Sequence, residues 1–404
     1  MSILTNEKKY QKLFLAGLIN GIGDRFSQVA SLSLLLQLAD SGMSVGITLA
    51  LRMLPFLLFG PFSNKIAAKW SRKNLLIFTD AARAVIAISF FFVENEADIW
   101  IIYSASFLLA SGEALYAPVR KASIPAIIAP KNLKAVNGLE QVQLGFVLVI
   151  GALAGGVVSY LFGIHAAFLV NIVSFIVAGA FINRIESLEN PQSNAVSPSE
   201  YKGKGLFSVL FSSSLFIMLM SADILVPLAN GIENVLISVY ANNSFFAGDL
   251  GVGILYSVLG IGFIISPLLT KYIKSHFLYF AYFSMLMEGF ILLAVSQIDS
   301  FIIIAVLFGL LTIFGGVGNA LLDTVIMNEL PQKHQGAYFS FSATIGNTSL
   351  SLSMFTTGLL LNFLEPRILG AINGLLYIVF GVVYLLWSFL LIRLKKWQKG
   401  NFLQ

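Results

Sequence analysis

The chain of 404 residues contains no cysteine, only three histidines and few charged residues. Without cysteine it can form no disulfide, use no thiol nucleophile and bind no metal through thiolates. The histidines, His165, His276 and His334, are far apart and show no metal-ligand spacing. Charged residues make up 11% of the chain, whereas soluble domains carry about 25%. We therefore expect no metal, no cofactor and no enzymatic activity.

Apolar residues dominate what is present. They form 57% of the chain, and the mean hydropathy is +0.85. So little polar sequence cannot cover a water-facing surface, which indicates an integral membrane protein. The apolar runs are continuous rather than alternating, which favours membrane helices over a β-barrel. The N-terminal stretch leads into the first run with no small-residue cleavage site, so we expect a retained first helix and not a signal peptide.

A bilayer core about 30 Å thick requires roughly 20 apolar residues per helix. On this basis the sequence predicts twelve spans, at 13–37, 44–68, 75–93, 99–118, 138–162, 165–183, 207–239, 249–270, 276–296, 300–322, 337–363 and 368–392. The predicted fold class is therefore an all-α membrane protein with twelve transmembrane helices.

The basic residues predict the orientation. Of the 25 lysines and arginines, Arg25, Arg52 and Arg83 lie within spans and Arg367 lies in an outer loop, while all others fall on the side of the termini. Lys and Arg concentrate in cytoplasmic loops, so both termini are expected in the cytoplasm of a multi-pass protein of a bacterial-type inner membrane. The net charge of +5 is then explained by anionic lipid, and we expect no nucleic-acid partner.

A single long polar segment divides the spans into two sets of six. Residues 186–206 are rich in Ser, Asn, Pro and Glu, which is typical of a flexible linker. We therefore predict an N-terminal six-helix half at 1–185 and a C-terminal half at 207–404. Equal halves favour a transporter built of repeats, with its substrate in a central cavity between them. We expect it to act as a monomer.

Residues 114–139 interrupt the apolar pattern with three prolines and four basic residues. We expect Pro118 and the prolines after it to end span 4, because proline breaks the hydrogen bonding of a helix. The apolar positions between them are then expected on the lipid surface, with Arg120 and the other cations at the headgroups.

Three stretches resemble the major facilitator superfamily. They are GDRFSQVA at 23–30, GPFSNKIAAKWSRKNLL at 60–76, and the proline-rich residues 114–139. Within that family they are similar to the drug:proton antiporter branch, which includes macrolide-efflux, enterobactin-export and lysophospholipid transporters. The resemblance implies alternating access and a cytoplasmic gate in the loop between spans 2 and 3.

The gate departs from the family pattern, because Asn64 stands where the family has an aspartate. Basic residues in this loop can bond the carbonyls at helix ends, although simple positive-inside topology also explains them. Pro227 and Gly231 can kink span 7 at an outer gate. The gating candidates are Gly60, Asn64, Lys65, Arg72, Lys73, Pro118, Arg120, Pro227 and Gly231.

Ionisable residues inside spans each cost roughly 2.5–3.5 kcal/mol on insertion scales and therefore need a role. Asp80 and Arg83, three residues apart, can form a local pair, whereas the adjacent Asp24 and Arg25 point about 100° apart. The candidates for carrying a coupled proton are Asp24, Glu113 and Asp223. The cavity or charge-pair candidates are Arg25, Arg52, Asp80, Arg83, Glu233 and Glu288. For each, a purely structural pair is the alternative.

Two functions fit these features. The first is export of an amphipathic small molecule, such as a drug, macrolide or siderophore, by proton antiport, with multidrug resistance as its consequence. The alternative is a flippase for lysophospholipid or another lipid. The expected partners are the substrate, protons and membrane lipids. Proton antiport needs a titrating carboxylate, whereas lipid movement down a gradient does not.

Overall fold

The computed structural model describes residues 2–39, 48, 51–59, 66, 69–188 and 206–401, and these contain helices and no strands. The eleven long helices described are α1 Lys8–Ala39, α2 Arg72–Ile88, α3 Ile99–Ile127, α4 Leu133–Phe162, α5 Ile164–Asn183, α6 Ser214–Val239, α7 Gly248–Thr270, α8 Phe277–Val295, α9 Phe301–Glu329, α10 Gln332–Leu360 and α11 Pro366–Asn401. Short helices at Ser2–Asn6 and Leu206–Ser212 precede α1 and α6.

These helices coincide with eleven of the twelve predicted spans. The second predicted span, 44–68, lies largely outside the described residues, although 51–59 is helical. Among the described residues, nine helices are long and apolar enough to cross a membrane. The all-α membrane architecture is therefore confirmed. One detail differs, since the predicted span 207–239 is divided at Ser213 into the short helix and α6.

The prediction that prolines end span 4 at Pro118 is wrong. Helix α3 continues through Pro118 and Pro125 to Ile127. Arg120, expected at the lipid headgroups, is instead buried against protein, with 9% of its surface exposed, and it donates to Gln143 Oε1 at 2.8 Å. Membrane helices tolerate proline where neighbouring groups satisfy the freed backbone, so these prolines lie inside a helix packed against protein.

The contacts between residues divide the chain into two compact units. The first unit comprises Met1–Leu133, Gln143–Val196 and Leu330–Ser351. Within it, α1 packs against α5, and α2 packs against both α3 and α5. The rings of Phe90 and Phe168 stack in its apolar core with centroids 4.4 Å apart. This packing brings residues of α1, α2, α3 and α5 into one bundle.

The second unit comprises Lys134–Val142, Ser197–Glu329 and Leu352–Gln404. Within it, α8 packs against α9 and α11. Helices α8 and α11 approach closely at Gly374, where a Cβ would lie 2.7 Å from the backbone nitrogen of Leu293. Small residues allow such close backbone contact in membranes, where helix association depends on packing. The division into halves at 1–185 and 207–404 stays a prediction.

Candidate functional site

In the first unit, one buried arginine contacts three carboxylates. Arg83 of α2 has no exposed side-chain surface, and Asp24 Oδ2 of α1 lies 3.4 Å from its Nη1. Its guanidinium also donates to Asp80 Oδ1, one turn earlier, at 2.7 Å and to Glu113 Oε2 of α3 at 2.6 Å. Three helices therefore place three carboxylates around one guanidinium. We call these four residues the Arg83 cluster.

The expected pair of Asp80 and Arg83 is confirmed. Glu113, on another helix, also contacts Arg83 directly. Asp24 and Arg25 do not pair with each other, as their adjacent positions predict. Arg25 instead donates to Gln28 Oε1 on its own helix at 3.0 Å.

Aromatic rings and an amide enclose the Arg83 cluster. The carbon at the centre of the Arg83 guanidinium lies 4.7 Å from the ring centroid of Tyr116 and 4.6 Å from that of Phe175. Both distances suit cation–π attraction. Asn20 Nδ2 donates to Asp80 Oδ1 at 2.8 Å. The guanidinium is thus fixed from several sides.

The three carboxylates differ in exposure and in how tightly Arg83 holds them. The Asp80 side chain is 1% exposed, whereas those of Asp24 and Glu113 are 25% and 36% exposed. Asp24 makes the longest contact with Arg83. Asp80 is therefore an anchor for Arg83, while Asp24 is the carboxylate that is both accessible and least restrained.

Two further arginines act on the cluster from a greater distance. Arg52 interacts electrostatically with Asp24 and Glu113, and Arg25 interacts with Asp24. With Arg83, three positive charges therefore balance three carboxylates. Adding one proton to any of these carboxylates leaves the six side chains with a net positive charge. The protonation of the carboxylates and the positions of the arginines are therefore coupled.

The predicted gating residues have separate locations. Arg72 Nη1 donates to the carbonyl oxygen of Ala122 in α3 at 3.0 Å, and its role in gating stays a prediction. Lys73 is half-buried in the first turn of α2. Pro227 and Gly231 lie within the continuous helix α6. Gly60, Asn64 and Lys65 lie outside the described residues.

The second unit contains a cavity of about 270 Å³. Three of the carboxylates singled out from sequence, Asp223, Glu233 and Glu288, line it together with Pro227 and Tyr377. Asp223 is therefore not part of the Arg83 cluster. In the portion of the chain that the structure describes, no group of three or more acidic or histidine side chains is arranged to hold a metal ion.

Several residues of these sites were not singled out from sequence. Asn20 lies four residues before Asp24, and Tyr116 lies three residues after Glu113. Both spacings place side chains on one helix face, so a search for polar residues one turn from each carboxylate would have found them. Phe175 offered no such signal, because its helix carries no charged residue.

The fit around Arg83 can be tested with two glycines. A Cβ at Gly112 would lie 2.7 Å from Arg83 Cγ, whereas at Gly179 its closest neighbour would be Asp80 Cβ at 3.8 Å. We expect Gly112→Ala to lower the free energy of unfolding by ~1–3 kcal/mol through overpacking. Gly179→Ala is the control, and alanine's higher helix propensity predicts equal or greater stability for it. Thermal unfolding in detergent measures both, and equal effects would contradict tight packing at Arg83.

Known proteins resemble the whole chain. Macrolide efflux protein A of Streptococcus pyogenes is 22% identical over 93% of this chain and 95% of its own length. The uncharacterized MFS-type transporter YfiS of Bacillus subtilis (strain 168) is 20% identical over 95% and 94%. The crystal structure of the human organic anion transporter MFSD10 (TETRAN) superimposes with a TM-score of 0.74 at 13% identity, covering 95% of this chain and 99% of that one.

The family model of the Major Facilitator Superfamily matches residues 13–354. That range contains most of α1, all of α2 to α9 and most of α10, so it includes the Arg83 cluster and all but one of the cavity residues named above. The helical architecture, the solved structure with a similar fold and the family match agree with the resemblance carried by the sequence motifs. The chain belongs to the major facilitator superfamily and is a membrane transporter.

Proposed function

We propose that the protein exports an amphipathic small molecule in exchange for protons, by alternating access. The similarity to a macrolide efflux protein supports export. The chain is the transporting unit on its own, as a monomer. Its location is a bacterial-type cytoplasmic membrane, with both termini in the cytoplasm, where the basic loops meet anionic lipid.

We infer proton coupling from the contact of Arg83 with three carboxylates inside membrane helices. Ionised groups are costly there unless paired, so each proton gained or lost changes which carboxylates Arg83 holds. Asp24 is the first candidate for the exchanging proton because it is accessible and makes the longest contact. Glu113 is the second, and Asp80 keeps Arg83 in place.

The orientation can be tested in this chain because it has no cysteine of its own. Single cysteines at the exposed positions Glu96 and Phe363 should react with a membrane-impermeant maleimide added outside intact cells. Cysteines at the exposed positions Lys69 and Lys274 should react only after the membrane is permeabilised. As a control, the labelling of each variant is also measured in detergent, where the maleimide reaches both sides of the protein. Labelling of Lys274→Cys from outside would overturn the orientation.

The function itself is tested with purified protein in proteoliposomes. A radiolabelled macrolide and a radiolabelled lysophospholipid are measured in parallel, with and without an imposed pH gradient. We expect the macrolide to accumulate against its concentration gradient only when the pH gradient is present, and an ionophore that collapses the gradient should stop accumulation. The alternative, lipid flipping, would be established by lysophospholipid movement that is independent of the pH gradient, together with no uphill macrolide transport.

A further inference from the structure

The cavity of the second unit has acidic walls, and among the described residues that line it there is no basic one. Glu233 of α6 and Glu288 of α8 face it, together with Asn319 of α9 and Tyr377 of α11. Its volume of about 270 Å³ lies just below the range of about 300–1,000 Å³ that holds drug-sized ligands. The cavity therefore suits a small chemical group rather than a whole amphipathic molecule.

Glu233 is buried in this cavity without a partner. Glu233 is 9% exposed. Within the part of the chain that the structure describes, its carboxylate makes no hydrogen bond or ion pair. Glu288 is near enough to interact electrostatically with Glu233. A buried carboxylate without a counter-charge is strongly unfavourable, so this pair needs a positive charge or protons.

The other cavity walls indicate which positive charge fits. Phe263, Met285 and Leu311 supply apolar surface. The Tyr377 hydroxyl donates to Asn230 Oδ1, which leaves its ring as an aromatic wall of the cavity. Calcium and magnesium need several oxygen ligands converging on one point, and among the residues that the structure describes no group of three or more acidic or histidine side chains is arranged to hold a metal ion. An alkylated ammonium group instead prefers carboxylates combined with aromatic and apolar surface.

We propose that this cavity binds the alkylammonium group of an amine substrate between Glu233 and Glu288. The proposal rests on the proposed export function and names the chemical class of its substrate, an amphipathic organic cation. The apolar remainder of such a molecule extends beyond the cavity, since the cavity holds only the charged group.

The test uses purified protein in detergent and two probes of nearly equal shape, benzyltrimethylammonium and its uncharged carbon analogue neopentylbenzene. Isothermal titration measures binding, and thermal unfolding measures stabilisation by the ligand, since a ligand that binds only the folded protein raises its stability. We expect the cation to bind and to stabilise the wild type, and neopentylbenzene to bind at least about tenfold more weakly, as loss of a charged contact implies.

Glu233→Gln and Glu288→Gln keep the side-chain shape and remove the charge. Each should weaken binding of benzyltrimethylammonium by about tenfold or more and leave the binding of neopentylbenzene unchanged. Asp299→Asn is the matched control, a carboxylate of the second unit whose side chain is 90% exposed and does not line the cavity, so cation binding should be unchanged. Asp24→Asn tests whether the cation binds at the Arg83 cluster instead. Unliganded melting temperatures close to that of the wild type show that the glutamine variants are folded.

The outcomes separate this proposal from the export function. If the cation binds no better than neopentylbenzene, or if both glutamine variants bind it like the wild type, the ammonium site is wrong, whatever the transport assay shows. If binding depends on Glu233 and Glu288 while the wild type shows no pH-driven transport, the ammonium site stands and proton-driven export is the part that fails. Loss of binding in Asp24→Asn alone would also overturn the site, because it would place the cation at the Arg83 cluster.

Discussion

Arg83→Ala should abolish transport and lower the free energy of unfolding by about 3–5 kcal/mol, the cost of breaking a buried ion pair by removing one partner. The reason is the number of groups that depend on this guanidinium. Asp80, Glu113 and Asp24 all contact it, and Asp80 is itself buried. After the substitution three carboxylates would share a region of membrane helix without the cation that holds them.

The measurements are substrate transport in proteoliposomes and thermal unfolding in detergent. Arg367→Ala is the control for the loss of an arginine, because Arg367 pairs with Asp299, whose side chain is 90% exposed. Exposed pairs contribute about 0–1 kcal/mol, so this variant should be nearly as stable as the wild type. Arg83→Lys separates charge from geometry, since an ammonium group lacks the planar fork that reaches several carboxylates at once. If Arg83→Ala were as stable as Arg367→Ala, the cluster would not have the structural role assigned to it.

Local spacing predicted part of this cluster. The three-residue separation of Asp80 and Arg83 predicted their pair, since residues at that separation are neighbours on a helix. The approach of Asp24 and Glu113 to the same guanidinium depends on tertiary packing, because α1 and α2 each pack against both α3 and α5. The sequence of one helix does not show how it packs against another. Asp24 and Glu113 could therefore be predicted as candidates, but not that Arg83 is their common partner.

The fourth span does not end at Pro118 as its sequence predicts, and the reason is physical. Proline ends helices in water because the lost hydrogen bond and the ring clash have no compensation. In α3 the positions after Pro118 remain buried against other helices, including Val119, Ala122 and Ile124. Packing of the surrounding helices therefore outweighed the local preference of proline, and packing is a tertiary property.

The cavity of the second unit shows the same limit. Glu233 and Glu288 are 55 positions apart in the chain and lie on different helices. Their meeting in one cavity follows from the packing of α8 against α9 and α11, and of α11 against α6. The sequence of one helix does not show which residues of other helices line the cavity, so the lack of a basic residue among the described lining residues could not be predicted from it.

Asp24→Asn should abolish pH-driven uphill export while substrate binding and downhill exchange remain measurable. Asparagine has nearly the shape of a permanently protonated aspartate, so it can no longer exchange the proton that proton antiport requires. Asp24 makes the longest of the three contacts with Arg83. Its neutralisation therefore removes the weakest of these contacts, and the Arg83 cluster should remain folded around Asp80 and Glu113.

Asp80→Asn is the matched control because it makes the same chemical change at the anchor of the cluster. Asp80 accepts from both Arg83 and Asn20 and is 1% exposed. Its substitution should lower the yield and the melting temperature of the protein, and it should reduce uphill and downhill transport together. Asp24→Asn should instead separate the two activities at normal yield. Full pH-driven export by Asp24→Asn would exclude Asp24 as the carrier, and Glu113→Gln would then be the variant expected to lose coupling, because Glu113 is the other accessible carboxylate in contact with Arg83.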